Sequence, residues 1–305
     1  MQRYILSRLV QMLFTIFIVS LVVFFMVRLK GDPVSVMVPE TFSQEQIQEL
    51  RRAWGFDRPL WEQYLTFLRK AVTGDFGKSI VYRIPAMELV TQRLLWTYLL
   101  AFSSALIGLV VALPLGVLSA LYRGSVLDLL ATVLATVGRA MPGFWVGLML
   151  ILIFSVQFRA LPAYGAEQPT SIIMPALALG TGLAATLSRL TRSAMLETLG
   201  QDYIRTAYSK GLTKRMVVIR HALRNALIPV VTAFGLQLGW LLGGAVVIES
   251  VFSWPGLGRL MVDSINIRDI TVVQAGLLWF ATSFVLINLI VDVLYTFLDP
   301  RVRYD

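Results

Sequence analysis

Six stretches of this chain are each close to 20 residues or longer and nearly free of charge. Crossing about 30 Å of hydrocarbon takes about 20 apolar residues in an α-helix. The stretches are Leu9–Val27, Leu94 to about Tyr122, about Leu129 to Phe158, Ser171–Ser188, Ala226–Ile248 and Ile270 to about Leu298. Arg139 lies near the start of the third and Asp292 interrupts the sixth. Inside a bilayer every backbone amide must be paired within its own segment, so all six are expected as α-helices. The expected fold class is an all-α polytopic membrane protein with six transmembrane helices.

Composition agrees. Charged residues make up 15% of the chain and apolar ones 57%, with a mean hydropathy of +0.72; a soluble domain carries about 25% charged residues. The absence of cysteine excludes a disulfide scaffold, a thiolate metal site and a cysteine nucleophile. A single histidine, His221, excludes a His-rich zinc site, so neither a metal site nor a catalytic residue is expected. A net charge of +9 would suggest nucleic acid in a soluble protein. Here it follows membrane sidedness, and no nucleic-acid partner is expected.

Arg3 and Arg8 before the first stretch resemble the start of a signal peptide. The apolar run is longer than a signal's hydrophobic region and no small-residue cleavage site follows, so an uncleaved span is expected. Short-loop Lys/Arg counts set the orientation. Between Arg189 and Arg224 there are eight basic residues against two acidic ones, and both termini are basic. Residues 30–93 hold nine basic and eight acidic residues, and so long a segment has little say. Both termini are therefore expected in the cytoplasm, with residues 30–93 outside. The chain divides into 1–29 (cytoplasmic end and first span), 30–93 (extracytoplasmic segment), 94–188 (spans two to four), 189–226 (cytoplasmic loop) and 227–305 (spans five and six and the cytoplasmic end).

In the outer segment, Ser43-Gln44-Glu45-Gln46 has the form of a capping box opening a helix to Ala53. A second helix from Leu60 to Ala71 would place Leu60, Tyr64, Phe67, Leu68 and Ala71 on one face. This amphipathic pair either lies on the membrane or against an outside partner, or forms a small cap on the span ends. Gly77-Lys78-Ser79 ends like a phosphate-binding loop, but Val72 stands where the first glycine is required and no strand precedes it. No nucleotide hydrolysis is expected of this chain.

The basic loop carries two readings. Ala207 and Gly211 are four residues apart, which would leave one helical face nearly bare for another protein's surface, flanked by Tyr203, Ile204, Tyr208 and Leu212. On charge alone, a basic helix lying on anionic lipid is the favoured reading. The stretch Asp202-Tyr203-Ile204-Arg205-Thr206-Ala207-Tyr208-Ser209-Lys210-Gly211-Leu212 resembles the cytoplasmic EAA loop of ATP-binding-cassette importer permeases. The following Arg220-His221-Ala222-Leu223-Arg224-Asn225-Ala226-Leu227-Ile228-Pro229 resembles the branch that carries oligopeptides, dipeptides, nickel and glutathione. Gly74-Asp75-Phe76-Gly77-Lys78-Ser79, the run Ile248 to Gly258 and the terminal Asp299-Pro300-Arg301-Val302-Arg303-Tyr304 are similar to the same branch. Two departures stand out. Arg205-Thr206-Ala207 replaces Glu-Ala-Ala, and the usual Leu-Pro is displaced to Ile228-Pro229. The glutamate of that motif is therefore not there to meet an ATPase.

The resemblance implies a type I importer permease fold in a bacterial or archaeal cytoplasmic membrane. It also implies that the chain is half of a translocation pathway for a small solute delivered by a binding protein. Di- or oligopeptides come first as cargo, then glutathione or a nickel chelate. The implied partners are a second related permease, two cytoplasmic ATPase subunits and an extracytoplasmic solute-binding protein. This chain binds no cofactor itself; ATP and Mg are used by the ATPases. The loop is expected to form a coupling helix that docks on an ATPase through Arg205, Thr206, Ala207, Lys210, Gly211 and Leu212.

Gly235, Gly239 and Gly243 repeat every four residues in the fifth span. Such rows let helices approach closely in lipid, either within one subunit or as a sliding contact near the pathway. Glu249 and Trp254 are candidates for an outer gate, with local backbone capping the alternative for Glu249. Asp292 suits a hydrogen bond to a neighbouring span or a proton relay. Arg139 can snorkel to lipid phosphate, and His221 has no carboxylate or serine motif beside it. A secondary transporter is disfavoured by the scarcity of ionisable residues in the spans, and a membrane enzyme by the missing motifs. A non-transporting assembly protein would use the basic loop only to recruit.

Overall fold

The computed structural model describes the backbone of residues 2–26, 42–53 and 55–298, with side chains for 6–26, 42–53 and 55–293. In chain order the helices are α1 (Gln2–Met26), α2 (Gln44–Ala53), α3 (Leu60–Thr73), α4 (Ala86–Leu121), α5 (Val126–Ala140), α6 (Gly143–Gln157), α7 (Ile173–Leu199), α8 (Asp202–Ser209), α9 (Lys214–Val251), α10 (Leu257–Asn266) and α11 (Ile270–Leu298). No strand occurs among the described residues. Among the described residues five helices are long and apolar enough to cross a membrane; α5 and α6 make a sixth crossing if counted as one broken span.

That broken span corrects the expectation of one helix from Leu129 to Phe158. The axis turns by 106° between α5 and α6. Pro142 has no N–H to continue the helix, and its ring drives the preceding residue out of the helical region. Met141 accordingly sits at φ −76°, ψ 127°, and the helix restarts at Gly143. The seams at residues 93 and 188 also move, because both fall inside helices. α4 starts at Ala86, where Ala86, Leu89 and Val90 are buried beside exposed polar residues. α7 runs on to Leu199 through Arg189 and Arg192. Polar residues end a hydropathy window without ending a helix.

The chain divides into two compact bodies. The first comprises Tyr98–Trp254 with 290–298. At its centre α7 packs against α5, α6 and α9. Its fit to α4 is close: a Cβ on Gly116 would stand 2.5 Å from Thr191 Cβ and 2.6 Å from the Ser188 carbonyl oxygen, and one on Gly180 would stand 2.7 Å from the Ser104 carbonyl oxygen. Where lipid tails remove the hydrophobic drive between helices, such backbone approach supplies the contact.

The second body comprises Gln2–Thr97 with Pro255–Leu289. The expected capping box forms: the Ser43 N–H donates to Gln46 Oε1 at 2.9 Å and the Gln46 N–H to Ser43 Oγ at 3.3 Å. Of the two readings of the amphipathic pair, α3 takes the cap. Ser20 Oγ of α1 lies 2.8 Å from Tyr64 OH, and the Phe24 ring meets those of Tyr64 and Phe67 at 5.2 and 5.8 Å. Leu60, expected on the same face, is 54% exposed. Ser79, from the string that mimics a phosphate loop, is buried and donates to the fully buried carboxylate of Asp269 at the start of α11. The Leu257 N–H donates to Thr97 Oγ1 at 2.8 Å.

Candidate functional site

The basic loop resolves into the end of α7, the short helix α8 and the first turns of α9, all in the first body. The α8 backbone begins after an extended Gln201 and ends at Lys210. One side of α8 is anchored. Ile204 and Ala207 are buried in an apolar cluster with Ala120, Ala194, Met195, Val217, Val218, Ala222 and Ala226, and Leu212 packs against it. Burying two side chains of an eight-residue helix leaves the opposite side outward. Asp202, Tyr203, Arg205, Thr206, Tyr208, Ser209 and Lys210 are exposed.

This corrects the bare-face expectation. Ala207 and Gly211 do not share an outward helical face: Ala207 turns into the cluster, and Gly211 lies beyond the helix end. Gly211 has φ +76°, and a Cβ there would meet nothing within 4 Å. What the position requires is the left-handed backbone that glycine adopts freely, not smallness. The turn is closed by the Gly211 N–H to the Tyr208 carbonyl (2.9 Å) and the Leu212 N–H to the Ala207 carbonyl (3.4 Å). Of the six expected docking residues, Arg205, Thr206, Lys210 and Gly211 are presented outward, whereas Ala207 and the half-buried Leu212 form the foundation. Arg205 is 81% exposed and lies 3.7 Å from Asp202, so its guanidinium is largely hydrated. Tyr203 OH accepts from Asn225 Nδ2 at 2.9 Å, and the same group donates to the His221 carbonyl at 3.0 Å, tying α8 to α9. His221 enters through its backbone.

Near this platform lies a polar cluster that the sequence reading missed. Asp128, in the first turn of α5, is 8% exposed and accepts two hydrogen bonds from Arg192 of α7: Nε at 2.7 Å and Nη2 at 2.8 Å. Ser119 Oγ of α4 and the Gly124 N–H complete its shell. Fork-to-fork geometry of this kind fixes orientation as well as adding energy. The available signal was Ser125-x-x-Asp128, a cap pattern ahead of an apolar run; Ser125 Oγ does accept the Asp128 N–H at 3.3 Å. Three helices thus meet on one carboxylate, and one of them, α7, leads directly into α8.

The glycine row of α9 is not uniform. A Cβ on Gly235 would lie 2.4 Å from Val291 Cγ1, Gly239 is buried, and Gly243 faces open space. Gly235 therefore packs within the chain and Gly243 does not. Glu249 and Trp254 are both buried, and the Trp254 N–H donates to the Glu249 carbonyl at 2.8 Å. Trp254 belongs to a cluster with Phe252, Ile248 and Met174. The backbone contact of Trp254 with Glu249 closes the end of α9. Asp292 is half-buried and engaged, and Arg139 is exposed, as snorkelling requires. Among the described residues no group of three or more His, Cys, Asp or Glu side chains could hold a metal ion.

Residues 112–304 match the family described as binding-protein-dependent transport system inner membrane component, and residues 1–93 match its N-terminal companion. The chain is 42% identical over 305 residues to glutathione transport system permease proteins GsiC of Escherichia coli (strain K12) and of Shigella dysenteriae serotype 1, covering 100% of both chains in each pair. A solved structure of the MetNI methionine ABC transporter in an inward-facing conformation matches with a TM-score of 0.60 at 23% identity, over 70% of this chain and 97% of that one. That likeness bears on the fold alone.

Proposed function

The chain belongs to the family of binding-protein-dependent transport system inner membrane components, and from this we propose a cargo and a set of contacts for it. It is the permease component of an ATP-binding-cassette importer, a multi-pass protein of the inner membrane. The proposed cargo is a peptide-class solute, with glutathione, itself a tripeptide, as the first compound to test. The observation that carries this is the 42% identity to glutathione permeases along the whole of both chains. Relative to the peptide-first reading of the sequence, glutathione moves ahead of longer peptides and of nickel chelates.

In this reading the chain pairs with a second permease, two ATPase subunits that use ATP and Mg, and an external binding protein. It performs no chemistry itself. The exposed edge of α8, from Arg205 and Thr206 to Lys210 and Gly211, meets the ATPase. Movement of α8 passes into the cluster beneath Ile204 and Ala207, and through Arg192 and Asp128 to α5. Gly243 is the one member of the α9 row left for a partner's helix.

The test is uptake by the reconstituted assembly with its binding protein. Saturable entry of labelled glutathione, uncompeted by nickel chelates, is expected; entry of a nickel chelate without glutathione would reverse the cargo assignment. The contact is tested separately. Arg205→Glu with Lys210→Glu is expected to lose the copurifying ATPase while the chain still inserts. Gly211→Leu is expected to assemble poorly, or to assemble without transport. Normal ATP-driven uptake in both variants would remove α8 from the coupling route.

A further inference from the structure

A cavity of about 320 Å³ opens in the second body, against the last turn of α1 and the first turns of α11. Its aromatic part comes from Phe24 of α1, Phe67 of α3 and Phe76, whose rings follow one another at 5.8 and 6.3 Å. Its polar part carries Arg52, Arg58 and Lys70 against a single carboxylate, Asp75. None of the three cations takes part in an ion pair among the described residues. Asp75 Oδ1 already accepts the Gly77 N–H at 3.0 Å. The turn bearing Arg58 is held by Gln63, whose Nε2 donates to the Phe56 and Arg58 carbonyls at 3.1 and 2.7 Å. The excess of positive charge is local, because residues 30–93 as a whole are nearly neutral.

The depth of the cavity identifies the occupant. The apolar span of α1 is Leu6–Met26 and that of α11 starts at Ile270. Phe24, Ile270 and Gln274 all line the cavity, so it lies where both helices leave hydrocarbon. This is the headgroup level, where aromatic rings gather and where clustered Lys and Arg attract anionic lipid. Below it, on the side of α1 that bears Phe24, Val10, Leu13 and Phe17 are exposed, an apolar track for acyl chains. We propose that the cavity binds the phosphate headgroup of an anionic phospholipid, phosphatidylglycerol by chemistry, with Arg52, Arg58 and Lys70 around the phosphate and Asp75 accepting from the headgroup hydroxyls. Three cations against one carboxylate favour a net negative headgroup over a zwitterionic one.

The test uses the complete assembly in nanodiscs of phosphatidylcholine with a minor share of phosphatidylglycerol or phosphatidylethanolamine. Lipid retained after detergent extraction is counted by mass spectrometry. Phosphatidylglycerol is expected to be enriched over its bulk share and phosphatidylethanolamine not. Each single Gln replacement at Arg52, Arg58 or Lys70 is expected to lower retention about fivefold. The pair Arg52→Lys and Arg58→Lys, which keeps the charge, is expected to retain lipid. A photoactivatable phosphatidylglycerol is expected to crosslink the unmodified chain within residues 52–76, and millimolar glycerol phosphate to leave that crosslink in place. Unchanged retention in the Gln variants, crosslinks confined to other segments, or full displacement by glycerol phosphate would each overturn the assignment.

Discussion

Two aspartates, one in each body, solve the same problem by different means. Asp128 and Asp269 are both buried, both stand at the start of a helix, and both accept from a serine of another segment, Ser119 and Ser79. Asp128 also has a cation: Arg192 grips it with two hydrogen bonds. Asp269 is satisfied by neutral groups, the Ser79 hydroxyl and the Val272 N–H of α11 at 3.4 Å, with the helix N-terminus adding its partial positive charge. The first arrangement sits beside the platform under α8, at the meeting of α4, α5 and α7. The second pins one loop to one helix end. A charged clamp is costly to break and holds its direction, which suits the coupling route proposed for α8. A neutral pin holds position alone.

The comparison breaks most sharply at Arg192. Arg192→Met strands a buried carboxylate and is expected to cost about 3 kcal/mol, seen as a lower unfolding temperature of the purified assembly. The double variant Asp128→Asn with Arg192→Gln is expected to recover part of that loss, and no recovery would mean that Arg192 acts through packing alone. Next comes Asp269→Ala, which removes a cap and leaves the Ser79 O–H without its acceptor, for about 2 kcal/mol. The most discriminating pair is the same change at both sites. Asp128→Asn is expected to be clearly destabilising because Arg192 loses its counter-charge, whereas Asp269→Asn retains an acceptor for Ser79 and costs less than about 1 kcal/mol. Equal losses would erase the distinction between clamp and pin. Ser119→Ala and Ser79→Ala fall in the same small range, each expected at about 1 kcal/mol. Of these only Ser119→Ala is expected to lower uptake per ATP hydrolysed, measured as transport against ATPase rate in proteoliposomes.

What could be read beforehand follows the physical range of each signal. Hydropathy reports the solvent around a helix, so the spans were legible from Leu9, Ala226 and Ile270 onward. It does not report where a helix stops, and α4 and α7 run past the seams at 93 and 188. The capping box at Ser43 was legible because its partners lie three residues apart. The break at Pro142 was equally local, yet a sum over apolar residues conceals it. Spacing placed Ala207 on a face of α8 but carries no sign, and inward burial reversed its meaning. Pairing of Ser79 with Asp269, 190 residues apart, has no local signature at all. Gly116 and Gly180 escaped for the same reason: the atoms that demand their smallness belong to another helix.

The turn at Pro142 carries a consequence for hydration. A helix that stops and restarts leaves carbonyls and N–H groups facing outward at both new ends, and hydrocarbon cannot solvate them. The Pro142 carbonyl is served by the Trp145 and Val146 N–H groups, at 3.0 and 3.1 Å, and the Met141 N–H by Val137, which settles only part of the account. The remainder needs water or a partner's polar atoms, so this point of the span is wet or covered by protein. The absence of cysteine makes that easy to see. A thiol introduced at Met141 would be the only one in the chain, and a membrane-impermeant maleimide would read, state by state, when water reaches the middle of a crossing that hydropathy alone paints as dry.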